Sequence, residues 1–180
     1  EPSLRIHEAQ EIHSASSLSP VVSGSPYEEA HESYLRGRYA EAIDKLLTNY
    51  PLKDRGALAV SVPSRERVMT LLARAHANQG QLAEAQNWCE QAITIDKCDP
   101  GLHYLRATIL LECGQEAEAR LSLTRALYLD QRFVLAHFTL GNIARQRKEL
   151  KEAGKHFHNA LALLHHYHPE DILPESEGMS

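Results

Sequence analysis

A chain of 180 residues, 43% of them apolar, suits one ordinary domain or four to five helical hairpins with a continuous core. A formal net charge of −5 and a pI near 6.1 exclude a general electrostatic pull towards nucleic acid or an anionic membrane surface. No apolar run approaches the length of a membrane span and the N-terminus is not a signal peptide, so no membrane insertion is expected. Cys89, Cys98 and Cys113 share no motif spacing, which points to a reducing compartment without disulfides and to a cytoplasmic location. The start at Glu1 without a methionine reads as a fragment of a longer protein.

Residues 1–25 read as a flexible leader. They are rich in serine and punctuated by proline, a composition that buries little surface. Within them Leu4, Ala9 and Ile12 would form one short helical face. A degenerate first hairpin is expected over 26–50. Tyr27, Ala30, Tyr34 and Leu35 recur at helical spacing, Gly37 makes the turn, and Tyr39, Ala42, Ile43, Leu46 and Leu47 form the stripe of the second helix. Tyr50-Pro51 ends it, because a residue before proline is pushed out of helical geometry. An insertion loop follows over 51–63. It is half apolar, and reads as a surface loop or a longer second helix rather than part of a binding site.

From residue 69 to residue 160 one pattern recurs with a step of 34 residues, set by the turn positions Gly80, Gly114 and Lys148. Five residues past each turn stand Ala85, Ala119 and Ala153; nine past it stand Cys89, Leu123 and Phe157. Twelve past it come Ala92, Ala126 and Ala160, and seven before it Ala73, Ala107 and Gly141. Small residues at these spacings let two helices of a hairpin approach closely, and a fixed period of this length marks an α-solenoid of stacked helix-turn-helix hairpins. The repeats occupy 64–98, 99–131 and 132–165. The middle one opens on Asp99-Pro100, an N-cap followed by proline at the first helical position. A C-terminal tail over 166–180 is expected to act as a partial cap, through Ile172 and Leu173.

This period and small-residue lattice resemble the tetratricopeptide repeat (TPR), with Leu72-Ala73 and Leu140-Gly141 where that family has Leu-Gly. The family's aromatic three residues earlier is replaced by Met69, His103 and His137, and its proline after the second helix by Lys97 and Gln131. The resemblance implies an all-α TPR superhelix whose first helices line a concave groove. In that groove it places Arg67, Thr70, Arg74, Ala77 and Asn78, then Tyr104, Thr108, Leu111 and Glu112, then Leu135, Phe138, Asn142, Arg145 and Gln146. Of these, Arg67, Arg74, Asn78, Tyr104, Thr108, Phe138, Asn142 and Arg145 are the candidate partner-binding residues. Arginine and asparagine can hold a peptide's carboxylate or backbone, and the aromatics offer apolar contact.

The run "RALYLDQRFVLAHFTLGNIARQ" over 125–146, with "HFHNALALL" and "DILPESEGMS", is more specific. It resembles the C-terminal TPR region of CheR-type chemoreceptor methyltransferases, over roughly residues 65–180. In those proteins the repeats follow a catalytic domain that uses S-adenosylmethionine. The chain contains no strand, Gly-rich loop and helix unit of that kind, so no catalytic residue and no cofactor is carried over. What the resemblance implies is a non-catalytic, bacterial interaction module that binds a chemoreceptor, a signalling partner or its own methyltransferase domain. A self-assembling scaffold that pairs through the solenoid ends is the first alternative, and a His-rich metal-binding module ranks behind it.

Histidines at 156, 158, 165, 166 and 168 invite a metal reading. Only His165 and His168 have ligand spacing on one helical face, and no carboxylate or cysteine completes a site, so no metal is expected. His76, His103 and His137 read as packed core histidines. Arg106 stands at a core position, and either snorkels to the surface or pairs with an acid of the neighbouring repeat. No serine or cysteine has a base at motif spacing, and no catalysis is expected.

Overall fold

The computed structural model describes residues 24–51 and 63–168. The expected leader, most of the insertion and the tail from 169 onwards lie outside the described residues. Within them the chain forms eight helices: α1 (Pro26–Leu35), α2 (Tyr39–Asn49), α3 (Arg65–Asn78), α4 (Leu82–Ile95), α5 (Pro100–Glu112), α6 (Glu116–Leu129), α7 (Val134–Gln146) and α8 (Leu150–Leu164). Consecutive helices pack as hairpins, α1 with α2 through to α7 with α8, and each hairpin stacks on the next.

One turn geometry is used four times. Gly37, Gly80, Gly114 and Lys148 all adopt positive φ, between 62° and 75°. At each, the positive-φ residue donates to the carbonyl three residues back and its successor to the carbonyl five back: Gln81 to His76 at 2.9 Å, Gln115 to Leu110 at 2.8 Å, Glu149 to Ala144 at 2.8 Å. This double closure satisfies carbonyls that a helix end leaves orphaned. Glycine adopts the left-handed conformation without a Cβ penalty, whereas Lys148 holds it at φ 62°.

Three of the four first helices, α1, α3 and α5, start on side-chain caps, and α7 starts at Phe133 without one. Ser25 and Glu28 form a reciprocal capping box, the Ser64 hydroxyl accepts from Arg67 N–H, and Asp99 accepts from Gly101 N–H with Pro100 at the first helical position. Where a proline would end the second helices, Asp96 and Asp130 accept from the backbone N–H of Cys98 and Arg132 instead. A carboxylate turn thus replaces proline as the stop.

The small-residue lattice is the core. Ala73, Ala85, Ala92, Ala107, Ala119 and Ala126 are fully buried, as are Cys89 and Leu123. Leu46, Val68, Met69, Leu72 and Leu102 fill the space between the alanines of the first two hairpins, and Leu110, Leu123, Phe133 and Ile143 fill that of the last two. Each large side chain so buried contributes about 1.5–3 kcal/mol. Burial pushes the Cys89 thiol up to about 12, so it acts as a small apolar group. Cys89, Cys98 and Cys113 are free.

Two expectations are corrected and an open one is decided. Leu35 and Leu47 are 61% and 46% exposed, because Ala30, Ser33 and Tyr34 complete the contact face of α1, and Ala42 and Leu46 that of α2. His103 is only half-buried; its Nε2 lies 3.0 Å from the Lys97 carbonyl at the mouth of the preceding turn. His76 and His137 are buried as expected. Arg106 pairs rather than merely snorkelling: its Nε donates to Glu90 on α4 and one terminal nitrogen to the Ser122 hydroxyl on α6.

Candidate functional site

The first helices of the hairpins share one face, on which α1 touches α3 and α3 touches α5. Between α3 and α5 this face opens into a cleft of about 470 Å³. Arg74, Ala77 and Asn78 line one wall, Tyr104, Thr108 and Glu112 the other. Four of the eight candidate residues therefore meet: Arg74, Asn78, Tyr104 and Thr108. Their convergence follows from the repeat. Residues at equivalent positions of successive first helices must face the same way when the hairpins are related by a constant step.

The four are not equally available. Asn78 Nδ2 donates to the Tyr34 hydroxyl at 3.0 Å, fixing the end of α3 against α1. Thr108 Oγ1 donates to the Leu105 carbonyl at 2.8 Å, which leaves its lone pairs and methyl towards the cleft. The Tyr104 ring leans on Phe133, centroids 5.3 Å apart, and is held in one orientation. Arg74 supplies positive charge to one wall and Glu112 negative charge to the other, so the cleft suits a segment carrying both signs of charge better than a simple anion.

The remaining four candidates lie outside this cleft. Arg67, two turns before Arg74, places its guanidinium 5.1 Å from the centre of the Tyr27 ring on α1. Burial raises the Tyr27 hydroxyl above its ordinary value, opposed by Arg67 and Arg74. On α7, Asn142 Oδ1 accepts from Arg145 at 3.2 Å, and Phe138 is 51% exposed with its ring 5.9 Å from that of Phe157. Tyr27 and Tyr34 were missed by the repeat register, yet both join this face. Their seven-residue separation on α1 is the signal that could have found them.

The histidines divide by burial. His137 Nδ1 lies 3.1 Å from His156 Nδ1, and His137 Nε2 lies 3.2 Å from the Gln131 carbonyl. His137 thus donates from Nε2, a tautomer fixed by the carbonyl, and its unprotonated Nδ1 faces His156. His156 Nε2 faces Glu152 Oε1 at 3.1 Å. Burial lowers both histidines from their ordinary value of 6.5, and for His156 it outweighs the opposing pull of Glu152. Among the described residues no group of three or more His, Cys, Asp or Glu side chains is placed to hold a metal ion. Nor is any described helix long and apolar enough to cross a membrane.

The tetratricopeptide repeat family matches residues 66–97 and 100–133, the hairpins α3–α4 and α5–α6. Solved structures extend the likeness over most of the chain. MamA from Desulfovibrio magneticus RS-1 superimposes with a TM-score of 0.66 at 17% identity, covering 78% of this chain and 74% of that one. YrrB, described as a TPR protein with an unusual peptide-binding site, gives 0.62 at 14% identity over 79% and 69%. The first TPR of Spaghetti (RPAP3), bound to the HSP90 peptide SRMEEVD, gives 0.53 at 18% identity over 74% and 90%. No curated protein matches the sequence. The chain is an all-α TPR superhelix, a fold that generally serves protein–protein interaction.

Proposed function

We propose that this chain is a non-catalytic recognition module that binds a protein segment along its concave face, seated in the cleft between α3 and α5. The observation that carries this reading is the cleft itself. Arg74, Asn78, Tyr104, Thr108 and Glu112 converge on a space of about 470 Å³ that complements both an extended backbone and an apolar side chain. Phe138 and the Asn142–Arg145 pair extend the same face beyond the cleft, and Arg67 stacked on Tyr27 extends it before the cleft.

The sequence over 125–146 supports a setting in receptor methylation, with the module attached to a CheR-type methyltransferase in bacterial signalling. Its partner is then a chemoreceptor segment, a signalling protein or the methyltransferase domain itself. A pull-down from bacterial lysate, read by mass spectrometry, compares the wild-type chain with Arg74→Ala/Asn142→Ala after equal helicity is confirmed. Capture of a receptor-methylation component, reduced about tenfold or more in the double variant, is the expected result. Equal capture by both proteins would remove the concave face from consideration.

A further inference from the structure

The second helices of the hairpins have outward positions of their own. Seven, eleven and fourteen residues past the turn, α4 presents Asn87, Gln91 and Thr94, and α8 presents Lys155, Asn159 and Ala162. At the first two of these places α2 has Asp44 and Thr48. Polar or small residues thus stand here in three hairpins, and α6 departs from them with Leu121, Arg125 and Tyr128. Those three lie at i, i+4 and i+7 along one face of the helix. Leu121 is 71% and Tyr128 77% exposed, so neither serves the core of its hairpin.

An exposed leucine or tyrosine alone is ordinary. Here the two flank an arginine and border a shaped groove of about 300 Å³. Glu90 and Ile93 of α4, His103 and Arg106 of α5, and Leu121 and Arg125 of α6 line it. Its floor is fixed, because Arg106 is held by Glu90 on one helix and by Ser122 on another. The same bonds settle its charge. The Glu90 carboxylate is engaged by Arg106, whereas Arg125 places its guanidinium 5.8 Å from the centre of the Tyr128 ring. An arginine stacked on an aromatic face keeps its in-plane N–H donors turned outward, in the fork that a carboxylate accepts. Tyrosine and arginine are also the residues on which binding energy concentrates at interfaces.

We propose that this outer face is a second docking surface, for an acidic protein segment that lays one large apolar side chain between Ile93 and Leu121 and a carboxylate against Arg125. Charge selects this occupant. A second copy meeting the stripe about a two-fold axis would set Arg125, midway along it, against its own counterpart. Nucleic acid is disfavoured by the chain's net charge of −5. The surface is built by the second helices and does not depend on whether the α3–α5 cleft binds; with both occupied, the chain bridges two partners.

A display library of random peptides, panned on the wild-type chain and counter-selected on Leu121→Ser/Tyr128→Ser, tests this. Both side chains lie outside the core, and an unchanged urea midpoint confirms the fold of the variant. Expected are peptides that place Asp or Glu about one helical turn from a large apolar residue. Their affinity, read by fluorescence anisotropy, should fall about tenfold or more in Leu121→Ser/Tyr128→Ser and in Arg125→Glu. Peptides with lysine in place of the acid should regain binding to Arg125→Glu. Arg74→Ala should leave the affinity unchanged, which separates this surface from the cleft. A library that yields no enrichment on the wild type over the variant, or that enriches peptides without an acid, would overturn the proposal. So would a sedimentation mass that is dimeric at low micromolar concentration in the wild type and monomeric in Leu121→Ser/Tyr128→Ser, which would assign the stripe to a second copy.

Discussion

At the residue scale, Lys148 is where the repeat departs furthest from its own rule. Three turns place glycine in the left-handed region and the fourth places lysine there, at φ 62°. A Cβ in that region crowds the following carbonyl, which costs roughly 1–2 kcal/mol, partly offset by the chain entropy that glycine gives up. Lys148→Gly should therefore raise stability by about 0.5–1 kcal/mol, read as a higher urea midpoint with an unchanged slope. A midpoint that stays or falls would mean that Lys148 makes a compensating contact. The turn itself was legible in the sequence, because its place in the 34-residue step identified it without glycine. The partners of Arg106 were not. A register position says which way a side chain starts, but a long flexible side chain can end on more than one helix, and this one ends on the preceding hairpin and on the second helix of its own.

At the scale of helices, small residues decide how closely two of them approach, and Gly141 is the tightest case. A Cβ built on it would lie 2.7 Å from the Phe157 ring, so α7 and α8 meet here through a hydrogen on one side and an aromatic edge on the other. In the other two repeats alanine stands at this position, facing Cys89 and Leu123 in place of phenylalanine. The pair is a size exchange, in which a smaller residue on one helix admits a larger one on the other. Gly141→Ala should destabilise the last hairpin by about 1–3 kcal/mol through overpacking. Combining it with Phe157→Leu should recover most of that loss, and a double-mutant cycle on denaturant midpoints measures the coupling. Additive effects would dissociate the two sites. The individual positions of this exchange were visible in the sequence; their contact became evident only once the helix crossing was known. The candidate groove followed the same division. Equivalent positions predicted which side chains share the concave face, while the cleft within it depends on the separation of α3 and α5, which no periodicity states.

For the whole molecule, a solenoid distributes stability hairpin by hairpin, with each unit held by its neighbours alone. The last hairpin carries the buried His137–His156 pair, whose protonation burial disfavours. Both groups therefore titrate lower in the fold than at their ordinary 6.5, and below that pH the unfolded chain binds more protons than the folded one. Stability contributed by the neutral pair is present above about pH 6.5 and is lost as the pH falls towards the lowered folded values. Urea midpoints should drop between pH 7.5 and pH 5, and His137→Phe should flatten that dependence. Exchange measured at pH 5 should show α7 and α8 opening ahead of α3 and α4. Uniform opening, or an unaltered slope in the variant, would place the acid sensitivity elsewhere. Both histidines were prominent in the sequence, but they are 19 residues apart on different helices, and only the hairpin brings their rings together.

The bridge that Arg106 makes between Glu90 and Ser122 also has a mechanical meaning. It spans α4, α5 and α6 across the seam between two hairpins, beside the outer groove where Ile93 and Leu121 lie. A superhelix changes curvature by hinging at such seams, and the bridge acts as a tie across one of them. The α3–α5 cleft, on the same pair of hairpins, is then braced from behind, whereas the seam between α6 and α7 has no counterpart to this tie at its equivalent residues Leu140 and His156. The last two hairpins are tied elsewhere, near the turns, by Arg120 to Glu149 and Arg147 to Glu116. An occupant of the cleft would therefore meet a preset width at Arg74 and Tyr104.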